Sequence, residues 1–207
     1  MLYYQVESQS PKNENAKKTY TCLQAQGTKH MLIFLNYILS KVDALNREFQ
    51  AEGFRLHCVH KSVSTTYRDL LNCFVQEDVM SQVELSDIDP KDDKIHVTLD
   101  KVYIGGRGEA HRLKEPVQEP CLTNFKTDCK KVLIELCFQI KQGMNLSKDN
   151  LLAKLQVLDQ EVAQDLKQSP GSIHDIAMNF IKLIQDTELD ELADEWRSYR
   201  RGENSAQ

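Results

Sequence analysis

The residue types best suited to metal binding gather at His57, Cys58 and His60, with His96 further along the chain. Zinc needs three or four imidazole, thiolate or carboxylate ligands converging on one point. Phe54 to Val63 alternates in a way that reads as a strand, with Phe54, Leu56 and Cys58 on one face. On a strand, His57 and His60 differ in parity and point to opposite faces. Cys58 and His60 share a face, and His96 on a neighbouring strand would be a third ligand, but neither C-x-x-C nor H-E-x-x-H supports the set. These side chains therefore read as partly solvated strand residues, and the sequence predicts no metal site and no cofactor.

The second chemical stretch is YIGGRGEAHR, Tyr103 to Arg112. A glycine turn after a strand can cradle a phosphate with backbone N–H groups. Gly105, Gly106 and Gly108 would form the turn, and Arg107, His111 and Arg112 would add charge. The spacing is neither G-x-x-x-x-G-K-[ST] nor G-x-G-x-x-G. No amphipathic helix is read directly after it, so no helix dipole is expected there. The stretch reads first as an exposed surface loop and second as an anion or partner loop.

Other reactions lack their parts. The acidic run Asp87 to Asp93 resembles a calcium loop, but it has no glycine at the sixth position, and Thr98 stands where the twelfth-position Glu belongs. There is no G-x-S-x-G. Cys121 follows Pro120 near a helix start, where a dipole lowers a thiol pKa, but no partner base is local in sequence, and only His111 or His174 brought near by the fold would serve. Paired carboxylates sit on hydrophilic faces rather than in apolar frames. No catalytic residue is predicted.

The elements that must position these groups follow from periodicity. Leu2 to Glu7 and Thr19 to Ala25 read as a long-looped hairpin. Thr28 caps a helix to about Ala51 that is apolar on nearly every side, which predicts a central buried helix. Ser64 or Thr65 caps a second helix to about Gln82, and Lys94 to Ile104 reads as a further strand. Residues 105–120 carry three glycines and two prolines without periodicity and mark a sub-boundary. Beyond it, Leu122 to Ile140 forms an amphipathic helix. Ser147 caps another, in which Leu151, Leu155, Leu158 and Val162 keep a four-three spacing. Ser172 opens a long segment through Ile184, and Thr187 caps a final piece. The expected fold is α+β: a small mixed, mainly antiparallel sheet of about four strands packed with helices, then a C-terminal helical layer of roughly three or four helices, with residues 1–207 as one domain.

Composition bounds the function. The chain has 207 residues, 41% hydrophobic and 28% charged, with a net charge of -5. That acidity gives no general attraction to nucleic acid or anionic lipid. Met1 to Ser10 lacks the basic start and apolar run of a secretory signal, and no apolar stretch approaches a membrane span. Cys22, Cys58, Cys73, Cys129 and Cys137 fall in apolar patterns and read as small core hydrophobes of a reducing, cytoplasmic setting. Leu192, Trp196 and Tyr199 on the final helical piece offer large anchors for another protein. The expected role is a protein-interaction one: an adaptor, a chaperone-like protein of the secretion-chaperone type, or a small subunit of a larger assembly. The alternative is a small enzyme or an anion- or nucleotide-binding protein using residues 105–112.

Overall fold

The computed structural model describes residues 14–24, 27–50, 56–164, 173–180, 182 and 184–201. Among these there is no β-strand, only an isolated bridge between Val75 and His96. The α+β expectation is therefore corrected to an all-helical fold. The helices are α1 Glu14–Gln24, α2 Thr28–Phe49, α3 Leu56–Leu71, α4 Glu77–Gln82, α5 Gly106–Lys114 and α6 Cys121–Gly143. They continue as α7 Leu151–Lys154, α8 Gln160–Gln164, α9 Ile173–Ala177 and α10 Leu189–Arg200. Single 3-10 turns occur at Asp93–Ile95, Leu99–Lys101, Leu155–Leu158, Met178–Phe180 and Asp186–Glu188.

Each lost strand has a physical reason. The expected strand at Leu2–Glu7 lies outside the described residues, and Thr19 to Gln24 is the end of α1. Of the expected strand Phe54–Val63, Leu56 to Val63 is the first half of α3, and Phe54 and Arg55 lie outside the described residues. Its alternation is real but is outweighed by the buried set His60, Val63, Tyr67, Leu70 and Leu71, whose spacing suits one helix face. Ser64 sits inside that helix rather than capping it. Lys94–Ile104 alternates because it lies along the turn after α3. Gln76 N donates to Ile95 O (2.9 Å), Val97 N to Phe74 O (2.8 Å) and Tyr103 N to Cys73 O (2.8 Å). The partner segment is only a turn between two helices, so no ladder propagates. His96, expected to face outward, is buried instead.

Residues 105–120, read as a loop, contain α5. Its Glu109 in the first turn and His111, Arg112 and Lys114 in the last turn complement the helix dipole. A glycine inside a helix costs about 1 kcal/mol relative to Ala, and close packing explains it at Gly108, as it does at Gly105 just before the helix. A Cβ at Gly108 would lie 3.1 Å from Ile104 Cγ1. Gly105 has φ 86°, and a Cβ there would lie 2.7 Å from Tyr37 Cγ.

The described chain divides into two compact units, Met1–Asp43 with Leu70–Gln82 and Asp89–Cys137, and Ala44–Asp69 with Val83–Ile88 and Phe138–Gln207. In the first unit the buried residues include Phe34, Ile38, Phe74, Val102, Ile104, Phe125, Cys129 and Leu133. The helix α2 is amphipathic rather than buried all round, since Leu32 and Leu39 are more than half exposed. On α6 the buried line is Phe125, Lys126, Cys129, Leu133 and Cys137, a set that includes one lysine the apolar pattern omits.

The second unit has a core of Leu155, Val157, Ile173 and Ile176, with Leu151, Leu152, Phe180, Leu192 and Trp196 packed on it. The expected continuous helix from Leu151 to Val162 is broken. Asn150, not Ser147, caps α7 by accepting from Leu152 N. A 3-10 turn follows and ends at Asp159, whose backbone is extended. The segment expected to run from Ser172 through Ile184 passes from α-helix into a 3-10 turn at Met178. Arg200 Nε donates to Ala163 O at 3.2 Å and ties α10 to α8.

Leu133→Asp places an unpaired charge at a position with no exposed surface. We expect loss of cooperative unfolding or a destabilisation of about 3 kcal/mol or more, read by far-UV circular dichroism on heating. Gly105→Ala meets both the positive φ and the Tyr37 ring, and is expected to cost about 1–3 kcal/mol in a denaturant melt. An unchanged midpoint in either case would refute the corresponding packing.

Candidate functional site

The chemistry of the second unit is built on one face of α3 and on the turn that precedes Asp159. Consecutive helix residues diverge by about 100°, so His57 and Cys58 converge only on a point lying between their directions. Asp159 occupies it. The ligand-bearing atoms of His57, Cys58 and Asp159 all lie within 4.8 Å of one another. Cys58 Sγ approaches Asp159 Oδ2 at 4.0 Å. All three residues are partly buried.

One turn further along α3, Gln156 Nε2 lies 2.8 Å from His60 Nδ1. The amide nitrogen donates, so Nδ1 accepts and the ring proton sits on Nε2. Among the described residues neither His60 Nε2 nor the buried Ser64 Oγ has a hydrogen-bond partner. Both residues border a cavity of about 400 Å³, together with Lys61, Arg68 and Lys148. Lys148 is paired there with Glu84 at 2.6 Å.

This unit also carries an open apolar groove of about 440 Å³ bordered by Leu56, Leu158, Ile176, Phe180, Ile184 and Leu192, among others. His57 is the one polar residue among the described residues lining it. Leu56 and Leu158 are 53% and 42% exposed. A site for a small polar molecule needs several placed polar groups, and among the described residues this groove has one. Of the three partner anchors read from the sequence, Leu192 lines the groove. Trp196 is half-buried against the core cluster and stacks on Tyr199 with ring centroids 5.5 Å apart.

In the first unit, the glycine-rich stretch opens α5 rather than forming a loop. Arg107 is exposed. The other cations are engaged by the chain's own carboxylates. Arg112 Nε donates to Glu109 Oε2 at 3.1 Å. His111 Nε2 lies 3.6 Å from Glu115 Oε2. Lys126, which sequence reasoning missed, is buried, donates to the Val102 carbonyl and lies 3.5 Å from Glu109 Oε1. A cavity of about 350 Å³ brings Arg112 and Lys126 together with Asp100 and Glu119. Two cations facing two acids give no surplus to attract an anion, and none of the glycines borders the cavity.

His30 is buried beside this helix. Its Nε2 lies 3.0 Å from the Glu115 carbonyl and donates to it. Its ring centroid is 4.5 Å from that of His111 and 5.9 Å from that of Phe125. Burial, and next the charge of His111, hold its pKa below the ordinary histidine value. Burial pushes the Cys129 thiol up to about 12 and the Cys137 thiol higher still, so neither is an activated nucleophile.

The His30 geometry carries a pH prediction. The folded chain binds this proton more weakly than the unfolded chain does, so the stability is complete above the ordinary value of about 6.5 and falls as pH drops through it towards the lower folded value. Between about pH 7.5 and 5.5 the melting temperature is expected to fall less for His30→Gln than for the natural chain. An equal fall would assign the effect to other groups.

No protein-family model, curated protein or solved structure matches this chain.

Proposed function

We propose that this chain is a protein-interaction module whose second unit receives the apolar face of an amphipathic helix from a partner. The observation that carries this reading is the open groove of about 440 Å³ with its almost wholly apolar lining. Exposed leucines at a concave surface mark a binding site more often than an idle one. A partner helix would present residues at i, i+3, i+4 and i+7. Leu192 reaches the groove from α10, whose Asp190, Glu191 and Glu195 are exposed, so basic residues flanking the apolar face of the partner are favoured. Such a groove would suit an adaptor, a chaperone-like protein of the secretion-chaperone type or a small subunit of a cytosolic assembly. Cys121, Cys129 and Cys137 are free thiols, which suits a reducing compartment. An anion or enzymatic site at residues 105–112 has less support, because Arg112, His111 and Lys126 already face carboxylates.

Leu158→Glu tests the reading, since Leu158 is 42% exposed and a charge there leaves the core untouched. The variant should melt within about 1 kcal/mol of the natural chain. It should bind a labelled amphipathic peptide of leucine and lysine at least about tenfold more weakly. A natural chain that binds no such peptide, or a variant that binds it equally well, would refute the groove as the working surface.

A further inference from the structure

We propose that His57, Cys58 and Asp159 form a binding site for a divalent cation of the zinc class. The sequence predicts no metal because Phe54–Val63 reads as a strand, on which His57 and His60 diverge. As a helix, the same segment puts His57 and Cys58 beside the carboxylate of Asp159 instead. One imidazole, one thiol and one carboxylate are a borderline-soft donor set, suited to zinc and unsuited to calcium or magnesium, which need oxygen ligands almost alone. Charge fits as well: a thiolate and a carboxylate beside a neutral imidazole balance a dication.

Bond lengths of 2.0–2.3 Å in tetrahedral zinc sites put ligand atoms about 3.6 Å apart. The three atoms here lie within 4.8 Å, with sulfur and carboxylate oxygen at 4.0 Å, so small side-chain rotations close the site. The metal takes the place of the proton on Cys58: one S–H bond breaks, one metal–sulfur bond forms, and one proton goes to solvent. Three protein ligands leave a fourth tetrahedral position for water or for a group brought by another molecule. His57 also lines the apolar groove, so the site stands at the edge of that surface.

The test is a titration of the full chain, stripped by chelator and kept reduced, with Co²⁺ as a coloured substitute for zinc. We expect saturation at one ion per chain, with a thiolate-to-cobalt absorption band that Zn²⁺ abolishes. Cys58→Ser should lose the band, Asp159→Asn should bind at least about tenfold more weakly, and Cys121→Ser should behave as the natural chain does. Thermal melts establish that each variant is folded. Should Cys58→Ser fail to fold, the natural chain and Asp159→Asn decide. Absence of the band in the natural chain, or its survival in folded Cys58→Ser or undiminished in Asp159→Asn, would overturn the proposal.

Discussion

The buried stripe of α3 is the constraint on which the chemistry of the second unit depends. His60, Val63 and Tyr67 are at most 8% exposed, and Leu70 and Leu71 are fully buried. Burying a side chain of this size contributes roughly 1.5–3 kcal/mol, far more than the tenths that strand propensity adds at a β-branched residue such as Val59 or Val63. Once burial makes the segment helical, every other position on it is assigned a direction. Leu56 and His57 border the groove. Cys58 reaches Asp159. Lys61, Ser64 and Arg68 form a ridge along the adjoining cavity, as i, i+3 and i+7 positions must.

Among the described residues no sheet forms, so many carbonyls in irregular segments have no ladder to join, and a buried carbonyl without a donor is costly. This chain solves the problem with side chains. His96 Nε2 is 2.9 Å from the Pro90 carbonyl. His30 Nε2 is 3.0 Å from that of Glu115. Lys126 donates to Val102 O. In the second unit Lys141 Nζ donates to Ile88 O at 2.7 Å, and Tyr67 adds a longer bond of 3.4 Å to the same oxygen. Buried histidines and lysines therefore hold irregular backbone in place here. That explains why so many groups capable of chemistry in the first unit are already engaged in structure.

Where the sequence was readable, and where it was not, follows from the same physics. Long helical stripes were legible: α6 stands between Cys121 and Gly143 as its periodicity requires, and α10 carries acids in its first turn and arginines in its last. Alternation misled wherever a short segment ran beside a turn, as at Lys94–Ile104, because a single bridge and a full strand write the same two-residue pattern. Glycines misled at residues 105–108, where tight approach to Tyr37 and Ile104, invisible in a linear sequence, outweighs helix propensity. The groove was half visible. Leu192 was read as a surface anchor, but its neighbours Leu56 and Leu158 lie far apart in the chain, and only tertiary structure unites them. Asp159 had no local signal at all, since its approach to Cys58 depends on the helix breaking at that residue.

His57 belongs to both proposed surfaces, and that shared membership has a thermodynamic consequence. A cation holding the imidazole fixes one wall of the groove, and a helix seated in the groove fixes one ligand of the cation. Each event removes rotamer freedom that the other would otherwise have to remove, at a cost of up to about 1–2 kcal/mol for a side chain with several accessible rotamers. Under the two proposals the coupling between them is therefore favourable and, as a binding free energy, equal in both directions. Cys58 and Asp159 carry no such coupling by this route, because neither lines the groove. The sign of the coupling is thus set by one imidazole on the first turn of α3, and its size is limited to what ordering that side chain can supply.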